Sequence, residues 1–83
     1  MYSVTLSPLA VRQLDKLNEN QMKPIIRAFE VLKVNPRPSG VKKLKGRPGY
    51  RVRAGNYRII YQIFDSELRI HVLALGDRKD IYR

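Results

Sequence analysis

The sequence predicts an α+β fold of β-α-α-β-β-β order, in which a two-helix hairpin packs on one face of a mainly antiparallel sheet of about four strands. Three observations predict it. Residues Tyr50 to Phe64 alternate around Gly55-Asn56, the pattern of a β-hairpin with a two-residue turn. Leu68 to Leu75 resume the alternation after a turn at Asp65-Ser66 or Ser66-Glu67. Upstream, two apolar stripes at helical spacing are separated by a polar break at Asn18 to Asn20, as in an antiparallel αα-hairpin. With 83 residues and 43% apolar content, the chain makes a single domain spanning residues 1–83.

In chain order, Tyr2, Val4 and Leu6 alternate with Ser3 and Thr5, which predicts a short strand. Ser7-Pro8 has the form of an N-cap followed by proline at the first helical position, and Ala10, Val11, Leu14 and Leu17 carry that helix to about Leu17. Met22, Ile25, Ile26, Phe29 and Leu32 form the second stripe, which ends before Asn35-Pro36. Pro24 would weaken the first turn of a helix capped by Asn20, so a start nearer Met22 is the alternative. From Asn35 to Gly49, three prolines and three glycines predict a loop, with Leu44 as its inward anchor among Lys42, Lys43, Lys45 and Arg47.

The charge is local. Net charge is +10, and between Val31 and Phe64 there are nine Lys or Arg and no acidic residue. Such a patch suits nucleic acid or an acidic partner. A membrane-lying helix would need its cations beside a wide apolar face, whereas these lie on a loop and strands, so no membrane partner is expected. The chain has no cysteine and a single histidine, His71, which leaves no disulfide, thiolate site or His cluster, and neither metal nor cofactor is expected. The N-terminus lacks the basic start and long apolar run of a signal peptide, so the expected location is cytoplasmic.

The hairpin imposes a layout. With Gly55-Asn56 as a type II′ turn, Ala54 pairs with Tyr57, Arg53 with Arg58, Val52 with Ile59 and Arg51 with Ile60. Tyr50, Val52, Ala54, Tyr57, Ile59, Tyr61 and Ile63 then share the face under the helices, joined by Leu68, Ile70, Val72 and Ala74. The other face carries Arg51, Arg53 and Arg58 beside Ile60, Phe64, Leu73 and Leu75. Like charges directly across a ladder repel, and a docked polyanion would relieve them. An apolar patch beside a cationic one also marks a binding surface.

In these residues, G-V-K-K-L-K-G, then Y-R-V-R-A-G-N-Y-R-I-I-Y, then L-G-D-R-K-D-I-Y-R, the chain strongly resembles the RelE/ParE toxin superfamily. The resemblance spans nearly the whole chain and is most specific from Val41 to Tyr82. It implies a toxin of a type II toxin-antitoxin system: a RelE-like endoribonuclease that enters the ribosomal A site and cuts mRNA, or alternatively a ParE-like inhibitor of DNA gyrase with no chemistry of its own. Arg51 and Arg53 fall where RelE-like toxins hold the scissile phosphate, and Arg58 falls on their hairpin arginine. Arg78 falls on a tail arginine that stabilises the transition state or leaving group, and Tyr82 on a tail tyrosine assigned as base or stacking group. The implied partners are the ribosome with its rRNA and mRNA, the loop cations Lys42, Lys43, Lys45 and Arg47 binding RNA. A cognate antitoxin, acidic or amphipathic, would lie over Ile60, Leu73 and Leu75 in a hetero-oligomer.

The chemistry sets its own demands. Attack by the RNA 2′-hydroxyl needs a base, a stabilised phosphorane and a protonated leaving group. Arginine's planar fork serves the second task, while a pKa above 12 disqualifies it from the others. Tyr82 serves as base only if cations depress its pKa.

Overall fold

The structure, a computed structural model, describes residues 1–77. Strand β1 (Ser3–Leu6) leads into helix α1 (Pro8–Asp15) and helix α2 (Glu19–Val34), followed by strands β2 (Lys42–Lys43), β3 (Tyr50–Ala54), β4 (Tyr57–Phe64) and β5 (Arg69–Asp77). They form one five-stranded sheet in the order β1-β5-β4-β3-β2, and only the β1–β5 pair is parallel. The strand beyond the expected four is β2, a two-residue piece of the basic loop that pairs with the start of β3. Among the described residues, no helix is long and apolar enough to cross a membrane.

Both helices start where a side chain satisfies the first free N–H groups. Ser7 caps α1, its Oγ accepting from Ala10 N at 3.0 Å with Pro8 next in line. That helix stops at Asp15, short of Leu17. Asn18, rather than Asn20, caps α2: its side chain accepts from Gln21 N at 2.9 Å, and the Gln21 side chain accepts from Asn18 N at 2.9 Å, a reciprocal capping box. Pro24 therefore lies inside the helix. Its ring borders the hairpin turn, since a Cβ added to Gly55 would sit 3.3 Å from Pro24 Cγ.

Ile25, Phe29 and Leu32 of α2 and Ala10 of α1 meet Ala54, Ile59, Tyr61, Ile70, Val72 and Leu75 of the sheet in one buried core. Each fully buried Ile, Leu or Val contributes about 1.5–3 kcal/mol relative to its exposed state. The β3–β4 register is the expected one in all four predicted pairs, and Gly55 has the positive φ, +63°, that the turn requires.

The β4–β5 pair departs from simple alternation. Phe64 pairs with Arg69 and Tyr61 with Val72, the register of the Ser66-Glu67 alternative, but the connection is a 3-10 turn over Asp65–Glu67 closed by Leu68 at φ +49°. Leu68 is thus exposed and not on the core face. Beyond Tyr61 the register slips, Ile60 pairing with Ala74 and Ile59 with Leu75. Leu73 is the extra residue of a β-bulge, and the bulge exchanges the faces of the residues after it. Leu75, expected on the outer face, is fully buried in the core, while Ala74, expected inside, lies opposite Ile60 on the outer side. Ile60 is only 3% exposed and Leu73 is half-buried, so Ile60, Leu73 and Leu75 do not form the exposed apolar patch expected to receive an antitoxin.

The bulge sits where β1 gives way to α1. Ser7 N donates to Val72 O at 2.9 Å, Ser7 Oγ donates to Leu73 O at 2.6 Å, and Leu75 N donates to the Gln13 side-chain oxygen at 2.8 Å. The N-cap Ser7 and Gln13 of α1 thereby serve the backbone groups of β5 beyond its ladder with the short β1.

Candidate nucleic-acid interface

Cross-strand pairing gathers cations on the sheet face away from the helices. Arg53 lies opposite Arg58, Arg51 opposite Ile60, and Lys42 opposite Arg51. Paired residues share a face, so Lys42 joins the arginines and Lys43, paired with Tyr50, does not. Lys42, Arg51, Arg53 and Arg58, with Ser39 and Gly40 of the α2–β2 segment, line a cavity of about 360 Å³. Arg53 is exposed, and Arg51 and Arg58 are half-buried.

The other predicted site residues are placed differently. Lys45 and Arg47 are exposed on the Leu44-to-Gly49 loop, which is pinched by a bond from Leu44 N to Gly49 O at 3.0 Å. Lys43 and Arg47 border a separate open cleft of about 730 Å³ with Tyr50, Gln62 and Phe64. Leu44, expected as the inward anchor, is half-buried at the edge of that cleft, and Val41 is the loop residue that packs on the core. A Cβ on Gly49 would meet Leu44 Cδ1 at 3.2 Å and Tyr61 O at 3.1 Å, so that turn needs glycine at its φ of +125°. Arg78 and Tyr82 lie outside the described residues. His71 is beside β1, its Nδ1 2.8 Å from Thr5 Oγ1, which also accepts from Arg69 at 3.2 Å.

One cluster was not anticipated. Asp65 receives both terminal nitrogens of Arg37, at 3.0 and 3.3 Å, and the Tyr2 hydroxyl at 2.6 Å. Arg37 also lies over the Tyr50 ring, 5.6 Å from its centroid, and Tyr50 abuts Tyr61. The Arg37 bonds, and then the Tyr2 bond, hold the Asp65 carboxyl below the usual carboxylate range. The Asp65 carboxylate in turn raises Tyr2, and burial raises Tyr61, so neither phenol is suited to act as a base. The sequence signal was a lone Asp directly after a strand, which alternation treats as turn material.

Chemically, three guanidinium forks and an ammonium can bind a phosphate and stabilise charge that builds on it. Among the described residues lining the cavity there is no carboxylate, imidazole or phenol, so a base must come from elsewhere.

Fold and site together define a small α+β domain with helices on one sheet face and a cavity of about 360 Å³ lined by cations on the other. The chain belongs to the family described as ParE toxin of type II toxin-antitoxin system, parDE, whose model matches residues 4–82. It is a toxin of the RelE/ParE superfamily. A curated Methanocaldococcus jannaschii protein, named as a toxin RelE1, is 28% identical over 86 residues, covering 99% of this chain and 96% of the relative. The RelE–RelB complex of Pyrococcus horikoshii contains a chain that superposes with a TM-score of 0.81 at 28% identity, over 95% of this chain and 97% of that one. The toxin-antitoxin complex RelBE2 of Mycobacterium tuberculosis gives a TM-score of 0.80 at 28% identity, over 93% and 98%.

Proposed function

We propose that this toxin is a ribosome-dependent mRNA endonuclease that cuts mRNA in the A site and so arrests translation. The observation that carries the proposal is the convergence of Lys42, Arg51, Arg53 and Arg58 on one cavity of about 360 Å³. In this reading the 2′-hydroxyl of the mRNA attacks the adjacent phosphorus, its proton passing to a base and the 5′-oxygen leaving with a proton. Arg51 and Arg53 clamp the phosphate, and Arg58 stabilises the phosphorane. Arg78 and Tyr82, through the resemblance, take the leaving-group and base or stacking roles. Arginines position and stabilise well but transfer protons poorly, so the ribosome's role is to hold the mRNA in line, worth several kcal/mol. Lys45 and Arg47, projecting beyond the cavity, are the cations placed to meet rRNA.

The partner in this reading is a cognate antitoxin, as in the solved complexes of its relatives. With Leu75 buried, an amphipathic antitoxin segment finds its apolar contact instead in the groove between β1 and the helices, lined by Val4, Leu6, Leu14, Ile26 and Phe29. An acidic stretch would neutralise the arginines.

The test is mRNA cleavage in a translating extract. Arg58→Ala and Arg53→Ala should each lower it by about 100-fold or more, the scale of losing one charge-stabilising group. Unchanged cleavage in both would sink the assignment. The ParE description of the matching family favours one second reading, inhibition of DNA gyrase by protein binding. On induction, that reading yields DNA-damage signalling with translation intact, whereas the endonuclease stops translation first.

A further inference from the structure

The cavity has a second wall that the arginine pattern does not reveal. Ser39 and Gly40 reach it from the segment between α2 and β2. That segment is tied down on both sides of Ser39: Tyr61 Oη donates to Pro36 O at 2.7 Å, Arg37 binds Asp65, and Val41 N donates to Pro38 O at 3.2 Å. Gly40 has φ +88°, and a Cβ there would meet nothing within 4 Å, so the backbone conformation and not packing calls for glycine. The exposed Ser39 side chain is therefore carried on a segment whose position is set by buried Tyr61.

The chemistry of this wall differs from that of the strands. Lysine and arginine only donate hydrogen bonds, whereas a hydroxyl both donates and accepts. Among the described residues lining the cavity, Ser39 has the only side chain able to accept a hydrogen bond. The four cations can meet a phosphate of any nucleic acid, since the phosphate is common to all. The group that separates RNA from DNA is the 2′-hydroxyl, which both donates and accepts hydrogen bonds; the cations can only donate to it, whereas the Ser39 hydroxyl can also accept from it.

We propose that Ser39 is the specificity-determining residue of the cavity, reading the ribose 2′-hydroxyl of a single strand whose phosphate is held by Lys42, Arg51, Arg53 and Arg58. The inference rests on the phosphate-binding role proposed above and deepens it: the arginines set affinity and Ser39 sets the preference for RNA.

The experiment measures binding of a short single-stranded RNA, and of the DNA of the same sequence, to the full-length toxin without ribosomes. Wild type should favour RNA. Ser39→Ala should weaken RNA binding about three- to tenfold, the scale of one lost hydrogen bond, and leave DNA binding unchanged. Ser39→Thr should retain the preference, and Ser66→Ala, on the exposed turn at the far end of β4, should change nothing. An equal loss for RNA and DNA in Ser39→Ala would make Ser39 a phosphate contact and overturn the proposal, as would a wild type without preference. If Ser39→Ala has no effect while Arg53→Ala weakens both ligands, the 2′-hydroxyl reader is overturned and the phosphate site stands. If Arg53→Ala also has no effect, the phosphate site falls with it.

Discussion

At the scale of single residues, Asp65 makes the stability of this toxin depend on pH at both ends. Its carboxyl is held low chiefly by Arg37 and then by Tyr2, so the native state binds the proton less tightly than the unfolded chain does. That contribution is present above the unfolded value near 4 and is lost as pH falls through the lower native value. Tyr2 is shifted up by the same bond, so its share is present below about pH 10 and lost as pH rises through its higher native value. Asp65→Asn should therefore be less stable than wild type at neutral pH, and denaturant titrations should show the gap closing toward pH 3 or below. A gap independent of pH would assign the loss to packing. Tyr61 is a different case, because its hydroxyl is buried and donates to Pro36 O. Tyr61→Phe should cost about 1–3 kcal/mol by leaving that carbonyl short of a donor, read as a lower denaturation midpoint with an unchanged slope.

At the scale of elements, the bulge in β5 is what separates the expected surface from the observed one. The hairpin was legible in full, since a two-residue turn with glycine first leaves one register, and Arg53 opposite Arg58 results from it. Alternation misplaced Leu68 at the turn, placed Ile70 and Val72 correctly, and failed again at Leu73, where one inserted residue moved Leu75 into the core and Ala74 out of it. Nothing within β5 announces that step. The groups that accept it are far along the chain: the Ser7 hydroxyl on Leu73 O and the Gln13 amide oxygen on Leu75 N. Gln13→Leu should remove the partner of the Leu75 amide and destabilise the fold by about 1–3 kcal/mol. Hydrogen exchange should show the Leu75 amide losing protection more than that of Ile59. Equal protection in both forms would mean that the bulge holds without α1.

At the scale of the whole molecule, helices and core lie on one side of the sheet and the strand cations on the other, so binding and folding draw on different residues. If four cations contact phosphates, log affinity for a single strand should fall with log salt at a slope of about −3, and Arg53→Ala should lower its magnitude by about 0.7. A slope unaffected by Arg53→Ala would place the contacts on the loop cations instead. The expected loop surface divided because two adjacent lysines in a strand point to opposite faces, which sends Lys42 to the arginines and Lys43 away. What the sequence determined by itself was the α+β order, the two-residue turn and the side of the sheet on which Arg51, Arg53 and Arg58 stand, since these arise from local periodicity and turn chemistry. Only the tertiary structure decided the parallel docking of β1 on β5, the fate of Leu75 and the approach of Ser39 to the arginines. Each of these depends on which distant donor meets which backbone group, and no local period encodes that.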